Sequence, residues 1–168
     1  MSDATNIPSV QRKMRQAQFF YWKIVNAAEP SPTEPPEAFD YYLSAFLCAA
    51  DSVLDVAKHE RRCGPLVSSW ETALSDKDRK FLHLVQDARR REVHFAGVDA
   101  TKQPYEFPKD AFPGLRSLRL VSERFLRIGG RQYGVLTVCD RYLGLLADMM
   151  QCIEAQSTPR QPRGPKRK

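Results

Sequence analysis

Residues Ser75–His94 read SDKDRKFLHLVQDARRREVH, and the reading of this stretch sets the fold class. Ser75 is a good N-cap, with Asp78 three residues on and Asp76 in the first turn, where a carboxylate meets the positive end of the helix dipole. Phe81, Leu84, Val85 and Ala88 then recur at helical spacing and make one apolar face. After Ala88 the pattern breaks into Arg89, Arg90, Arg91, Glu92, Val93 and His94. On an ideal helix Glu92 falls on the apolar face, close to Phe81 and Ala88. Either the helix ends about here or this end is not buried in an ordinary core.

Arginines near a helix C-terminus complement its dipole, and a lone histidine is commonly a surface residue or a satisfied core residue. The sharper reading makes Arg89 and His94 a site. Histidine titrates near neutral pH and can move a proton. Arginine can hold a phosphate through two hydrogen bonds and stabilise its developing charge. Together such groups can cleave RNA without a metal.

On the N-terminal side, Val10, Met14, Ala17, Tyr21, Ile24, Val25 and Ala28 trace an amphipathic helix from Pro8 to about Ala28. Phe19, Phe20 and Trp22 widen its apolar surface beyond one stripe, as expected for part core and part partner surface. Glu29–Pro36 (EPSPTEPP) holds four prolines and sets an extended connection. A second helix is predicted from about Glu37 to Arg62, with Phe39, Leu43, Phe46, Leu47, Ala50, Val53, Leu54 and Ala57 on its face. Ser44, Ala45, Ala49 and Ser52 allow close helix approach. Gly64 is expected as its C-cap and Pro65 as the stop. Leu66–Ala73 reads as a short helical turn anchored by Trp70.

On the C-terminal side, Phe95–Gly114 is rich in Pro and Gly and reads as loop. Leu118 and Leu120 alternate with polar residues. Phe125–Ile128, Gly129-Gly130 and Arg131–Val135 make a hairpin pattern, since Gly-Gly supplies the positive φ angles of a tight turn. A last helix is expected from about Thr137 to Gln156, with Val138, Tyr142, Leu145, Leu146, Met149 and Ile153 on its face. The expected fold is all-α: an antiparallel bundle of four main helices with a short β-hairpin insertion before the last.

With 168 residues, one domain is expected, spanning 1–156, followed by a disordered basic tail at 157–168. Residues 1–6 read as a loose leader. The net charge is +6, of which Arg160, Arg163, Lys166, Arg167 and Lys168 supply five, leaving about +1 for the body. The body is therefore not a broadly basic nucleic-acid platform, and affinity for phosphate must be local, at Arg89–Arg91, or come from the tail. Cys48 and Cys152 fall in apolar helical patterns and read as small core residues. His59 and Cys63 are four apart and can share a helix face, but two ligands do not make a zinc site. The N-terminus is polar, and no apolar run approaches the roughly 18 residues that a membrane span needs. A cytoplasmic protein with reduced thiols and no membrane partner is expected.

A helical bundle whose third major helix ends in Arg, four residues, then His resembles the HEPN superfamily, through Arg89 and His94 in ARRREVHF. Phe39–Glu60 (FDYYLSAFLCAADSVLDVAKHE) is also similar to the second helix of several bacterial HEPN-like proteins. The resemblance implies a homodimer whose two motifs meet across the interface. Many members are metal-independent ribonucleases, often toxins or anti-phage effectors. By resemblance, His94 serves as general base or acid and Arg89 stabilises the pentacoordinate phosphate, while Arg90 and Arg91 hold the RNA backbone. No cofactor is implied, and an antitoxin or regulatory protein is a further expected partner. Arg90 stands where active members often carry Asn, Asp or His, and other members keep the bundle without the activity. The alternative is thus a non-catalytic HEPN-like bundle that binds protein or nucleic acid. Five residues of ideal helix turn through about 140° net and rise about 7.5 Å. Arg89 and His94 of one chain therefore need not touch, and a site built from two chains brings such groups together more readily.

Overall fold

The computed structural model describes residues 8–27, 35, 37–94, 100–103, 123–128 and 131–157, of which 91–94, 100–103, 123, 127–128 and 157 are described by backbone alone. The elements in order are α1 (Pro8–Ala27), α2 (Ala38–His59), α3 (Gly64–Ala73), α4 (Asp76–His94), β1 (Ala100–Gln103), β2 (Glu123–Ile128), β3 (Arg131–Gly134) and α5 (Val135–Ser157). The fold is thus mostly helical with a small antiparallel sheet. It has five helices among the described residues where four main ones are expected from the pattern. None is long and apolar enough to cross a membrane.

Helix α2 is the centre, packing against each of the other four helices. All eight residues of its apolar face, from Phe39 to Ala57, are buried. Tyr21 and Lys23 of α1 stand beside Phe46 and Tyr42 of α2 respectively, so the two helices run in opposite directions. A row of rings, Tyr21, Phe46 and Tyr142, crosses from α1 through α2 to α5 with centroids 6.3 and 6.4 Å apart. The α5 face is buried at every position from Val138 to Ile153 that its spacing marks. On α1, Val10, Met14, Ala17 and Ile24 are buried, but Val25 is exposed. Val25 lies one residue beyond the stripe, about 100° from Ile24 around the axis.

The cap of α4 forms as its sequence suggests. The Asp78 backbone N–H donates to Ser75 Oγ at 3.1 Å, and the Ser75 hydroxyl donates to Asp78 Oδ2 at 2.6 Å. Arg141 of α5 donates to Asp78 Oδ1 at 2.8 Å and lies 4.2 Å from the Phe81 ring centroid, tying the start of α4 to α5. Phe81, Leu82, Val85 and Ala88 are buried and Leu84 is half-buried. The helix does not stop after Ala88 but runs on to His94.

Three expectations are corrected. Helix α2 ends at His59 with Glu60 as C-cap, and Gly64 is instead the first residue of α3. A Cβ at Gly64 would lie 2.7 Å from the Lys58 carbonyl oxygen, so close backbone approach is what demands glycine there. Second, Leu66–Ala73 is part of a full ten-residue helix. Pro65 suits its first turn, where an N–H has no helical partner. Third, the stretch read as loop contains β1, which pairs antiparallel with β2 at Ala100–Leu126 through Gln103–Glu123.

The β2–β3 hairpin forms with Ile128 opposite Arg131 and Phe125 opposite Gly134. Its anchor is Leu126, which is fully buried in the helical core. Arg124 closes the join, standing 4.0 Å from the Phe39 ring centroid and 3.3 Å from Asp40 Oδ1. Of the two cysteines expected in the core, Cys152 packs against it, but the deepest cysteines are two others. Cys63 and Cys139 are fully buried, whereas Cys48 and Cys152 are half-buried; all four are free thiols. The leader, the proline-rich connection except Pro35, Leu118, Leu120, the Gly129-Gly130 turn and the basic tail beyond Ser157 lie outside the described residues, and Ser157 itself ends α5.

Candidate functional site

Arg89 lies on the core side of α4, one residue past buried Ala88 and three past Gln86. Its Nε is 3.4 Å from Oδ2 of Asp51, a residue of α2. The Asp51 side chain keeps 10% of its surface and that of Arg89 31%. Asp51 is the one buried charged residue among those described. Gln86, one turn before Arg89, is near enough to the same carboxylate to help lower its pKa. Across the bundle, α5 contributes Tyr142, whose hydroxyl is buried without a hydrogen-bond partner.

The pair is an ion pair rather than a good hydrogen bond. Nε of Arg89 is itself buried and makes no hydrogen bond, so at 3.4 Å the attraction is Coulombic. Burial is the largest influence on Asp51 and raises its pKa above the ordinary 3.8; the Asp55 charge adds to this. Arg89, Gln86 and Arg90 pull the other way without offsetting burial. Burial likewise pushes the Tyr142 phenol up, helped by the charges of Asp51 and Asp55. The phenol therefore stays protonated. The cluster is an incompletely satisfied polar insertion in an apolar bundle, the kind of place where function is sought.

The other predicted residues are placed differently. Arg90 is exposed and pairs with Asp87, 3.5 Å away and three residues earlier. Both partners are well solvated, so this pair holds little energy and leaves the guanidinium available to a stronger anion. Arg91 and His94 lie on the last turn of α4, and their side chains are outside the described residues. Because α4 stays helical to His94, the backbone sets Arg89 and His94 about 140° apart around the axis and about 7.5 Å apart along it. One helix therefore does not by itself bring them together.

The histidine and cysteine considered for zinc do not share a face, since α2 ends at His59 and Cys63 lies in the following turn. The His59 Nδ1–H donates to the Asp55 carbonyl at 2.7 Å. No group of three His, Cys, Asp or Glu that could hold a metal occurs among the described residues.

A cleft of about 450 Å³ opens between α2, α3 and α4, lined by Lys58, Glu71, Arg79, His83 and Gln86 among others. Gln86 thus links the cleft to the Asp51–Arg89 pair. Its charges are largely used within the fold: Lys58 pairs with Glu71 at 2.8 Å, and Arg79 donates to the Thr72 and Leu74 carbonyls at the end of α3.

Asp51, Gln86 and Tyr142 are the residues that reading the sequence missed. A signal for Asp51 was present. It falls four residues after Leu47 and three before Leu54, an acid in the middle of an apolar face. Such a residue needs a buried cation. The pairing itself spans α2 and α4, and only packing reveals it. No known family, curated protein or solved structure matches this chain.

Proposed function

We propose that this chain is a metal-independent endoribonuclease of the HEPN type, acting as a homodimer, of the toxin or anti-phage kind. The observation that carries the reading is a cationic helix end, Arg89 to His94, whose first arginine is held from behind by the buried Asp51. A guanidinium positioned by a carboxylate is oriented before substrate arrives, which is what stabilising a charged transition state requires. In the reaction His94 takes the proton of an RNA 2′-hydroxyl. The 2′-oxygen attacks phosphorus, and the P–O bond to the 5′-oxygen breaks. The partner's His94 returns a proton to that oxygen, leaving a 2′,3′-cyclic phosphate and a 5′-hydroxyl. Arg89 faces the pentacoordinate phosphate, while Arg90 and Arg91 hold neighbouring phosphates. An antitoxin or other regulatory protein belongs to the same reading, because a free cytoplasmic ribonuclease must be restrained.

The same ion pair favours a second reading. If Arg89 serves only to neutralise Asp51, the chain is a non-catalytic HEPN-like bundle that binds protein or nucleic acid. The two are separated by incubating RNA with wild type, His94→Ala and Arg89→Lys in the presence of EDTA, with sedimentation to give the oligomer. Lysine retains a cation for Asp51. Arg89→Ala is the poorer probe, because leaving Asp51 without its cation costs about 1–2 kcal/mol after allowance for the exposure of Arg89. The nuclease reading expects cleavage in EDTA by a dimer, at least about a hundredfold slower in His94→Ala and Arg89→Lys. Cleavage that survives both changes, or none by wild type, rejects it.

A further inference from the structure

Among the described residues four large apolar side chains are exposed: Phe19, Trp22 and Val25 on α1, and Tyr41 in the first turn of α2. Phe19 keeps 52% and Trp22 57% of its surface. The core face of α1 is elsewhere, on Val10, Met14, Ala17 and Ile24, so this ridge is not a badly packed core stripe. Each ring has neighbours that orient it. Phe19 meets Phe20 edge-on at 5.3 Å, and Phe20 packs on the core. Lys23 Nζ lies 5.6 Å from the Trp22 ring centroid and 5.5 Å from that of Tyr42 on α2. Arg15 precedes Phe19 by four residues and Arg12 precedes it by seven, so both lie along the same side of the helix. Both arginines are exposed. Within Pro8–Ala27 there are four cationic residues and no acid.

We propose that this face of α1 is a docking surface for single-stranded RNA, with bases stacking on Phe19 and Trp22 and phosphates meeting Arg12 and Arg15. Flat exposed rings beside cations, without a competing acid on the helix, match a ligand made of stacked bases and phosphates. Val25 alone in the ridge is aliphatic, and Gln11, Gln18 and Asn26 flank it. Amides suit base edges and are poor company for acyl chains, which argues against a lipid surface. The proposal takes its choice of ligand from the ribonuclease reading and supplies what that reading lacks, a surface that holds the strand away from the reacting phosphate. Helices α1 and α4 both pack on α2 and α5.

The test uses the full chain and a fluorescein-labelled 20-nucleotide single-stranded RNA with 2′-O-methyl sugars, which cannot be cleaved through the 2′-oxygen. Binding is read by anisotropy across a salt series and by tryptophan emission, since Trp70 is buried at 7% exposure and Trp22 is the accessible reporter. Binding should weaken about tenfold in Phe19→Ala and again in Trp22→Ala. Arg15→Gln should reduce the salt slope by about 0.7. Quenching should vanish in Trp22→Phe. These positions are solvent-exposed, so far-ultraviolet circular dichroism should be unchanged. Unaltered affinity in the Phe19→Ala, Trp22→Ala double variant overturns the proposal. So does conversion of a dimer to a monomer by Trp22→Ala, which makes the ridge an interface between copies, or transfer of Trp22 into phosphatidylserine vesicles without RNA binding. Cleavage of ordinary RNA by a double variant that binds normally leaves the nuclease standing and removes only this surface. Loss of binding in that variant, with no cleavage by wild type, does the reverse.

Discussion

A carboxylate that is buried pulls on everything near it, and Asp51 is the residue whose energetics decide how Arg89 is read. Its pKa in the fold is raised above the 3.8 of an ordinary aspartate, chiefly by burial. The folded chain therefore holds this proton more tightly than the unfolded chain does. The stabilising contribution is fully present below 3.8 and is lost as pH rises from 3.8 through the folded value. Asp51→Asn keeps the shape and removes the titration. The stability of Asp51→Asn relative to wild type, from denaturant unfolding at a series of pH values, should climb as pH rises from about 4 towards neutrality. A flat or falling difference means that Arg89 compensates Asp51 fully, and the pair is then an ordinary structural salt bridge.

At the scale of elements, two glycines separate close approach from mere permissiveness. Gly64 opens α3 with its Cβ direction blocked by the Lys58 carbonyl oxygen, while nothing lies within 4 Å of a Cβ at Gly144 in α5. Gly64→Ala should cost about 1–3 kcal/mol, because backbone rather than a flexible side-chain tip must move. Gly144→Ala should raise stability by about 0.5–1 kcal/mol, because alanine loses less backbone entropy on entering a helix. Urea midpoints of the two variants check both signs at once. The helices themselves were legible because their apolar faces repeat at 3.6 residues, as on α2 and α5. Helix α3 was less so: ten residues with only Val67 and Trp70 buried give little periodicity to detect. Strand β1, ATKQ, has no alternation of its own and exists by pairing with β2.

For the molecule as a whole, the hairpin is part of the core rather than an appendage. Leu126 is fully buried with α5 residues Val138, Tyr142 and Leu146 in the same cluster, and Arg124 fastens β2 to the start of α2. Leu126→Ala should lower global stability by about 2–5 kcal/mol and should not simply release the hairpin. One cooperative transition seen by both circular dichroism and Trp70 fluorescence is the expected result. A separate early transition would mark the hairpin as an independent unit.

Local pattern alone determined the long helices, the cap at Ser75 and the pairing of β2 with β3, because each depends on residues within a few positions of one another. The partnership of Asp51 with Arg89, the hole at Gly64 that only a hydrogen fills, and the exposure of Phe19 and Trp22 beside buried Ile24 were decided by packing. Those depend on which helix lies against which, and residues 38 positions apart in the chain, as Asp51 and Arg89 are, carry no spacing that announces their contact.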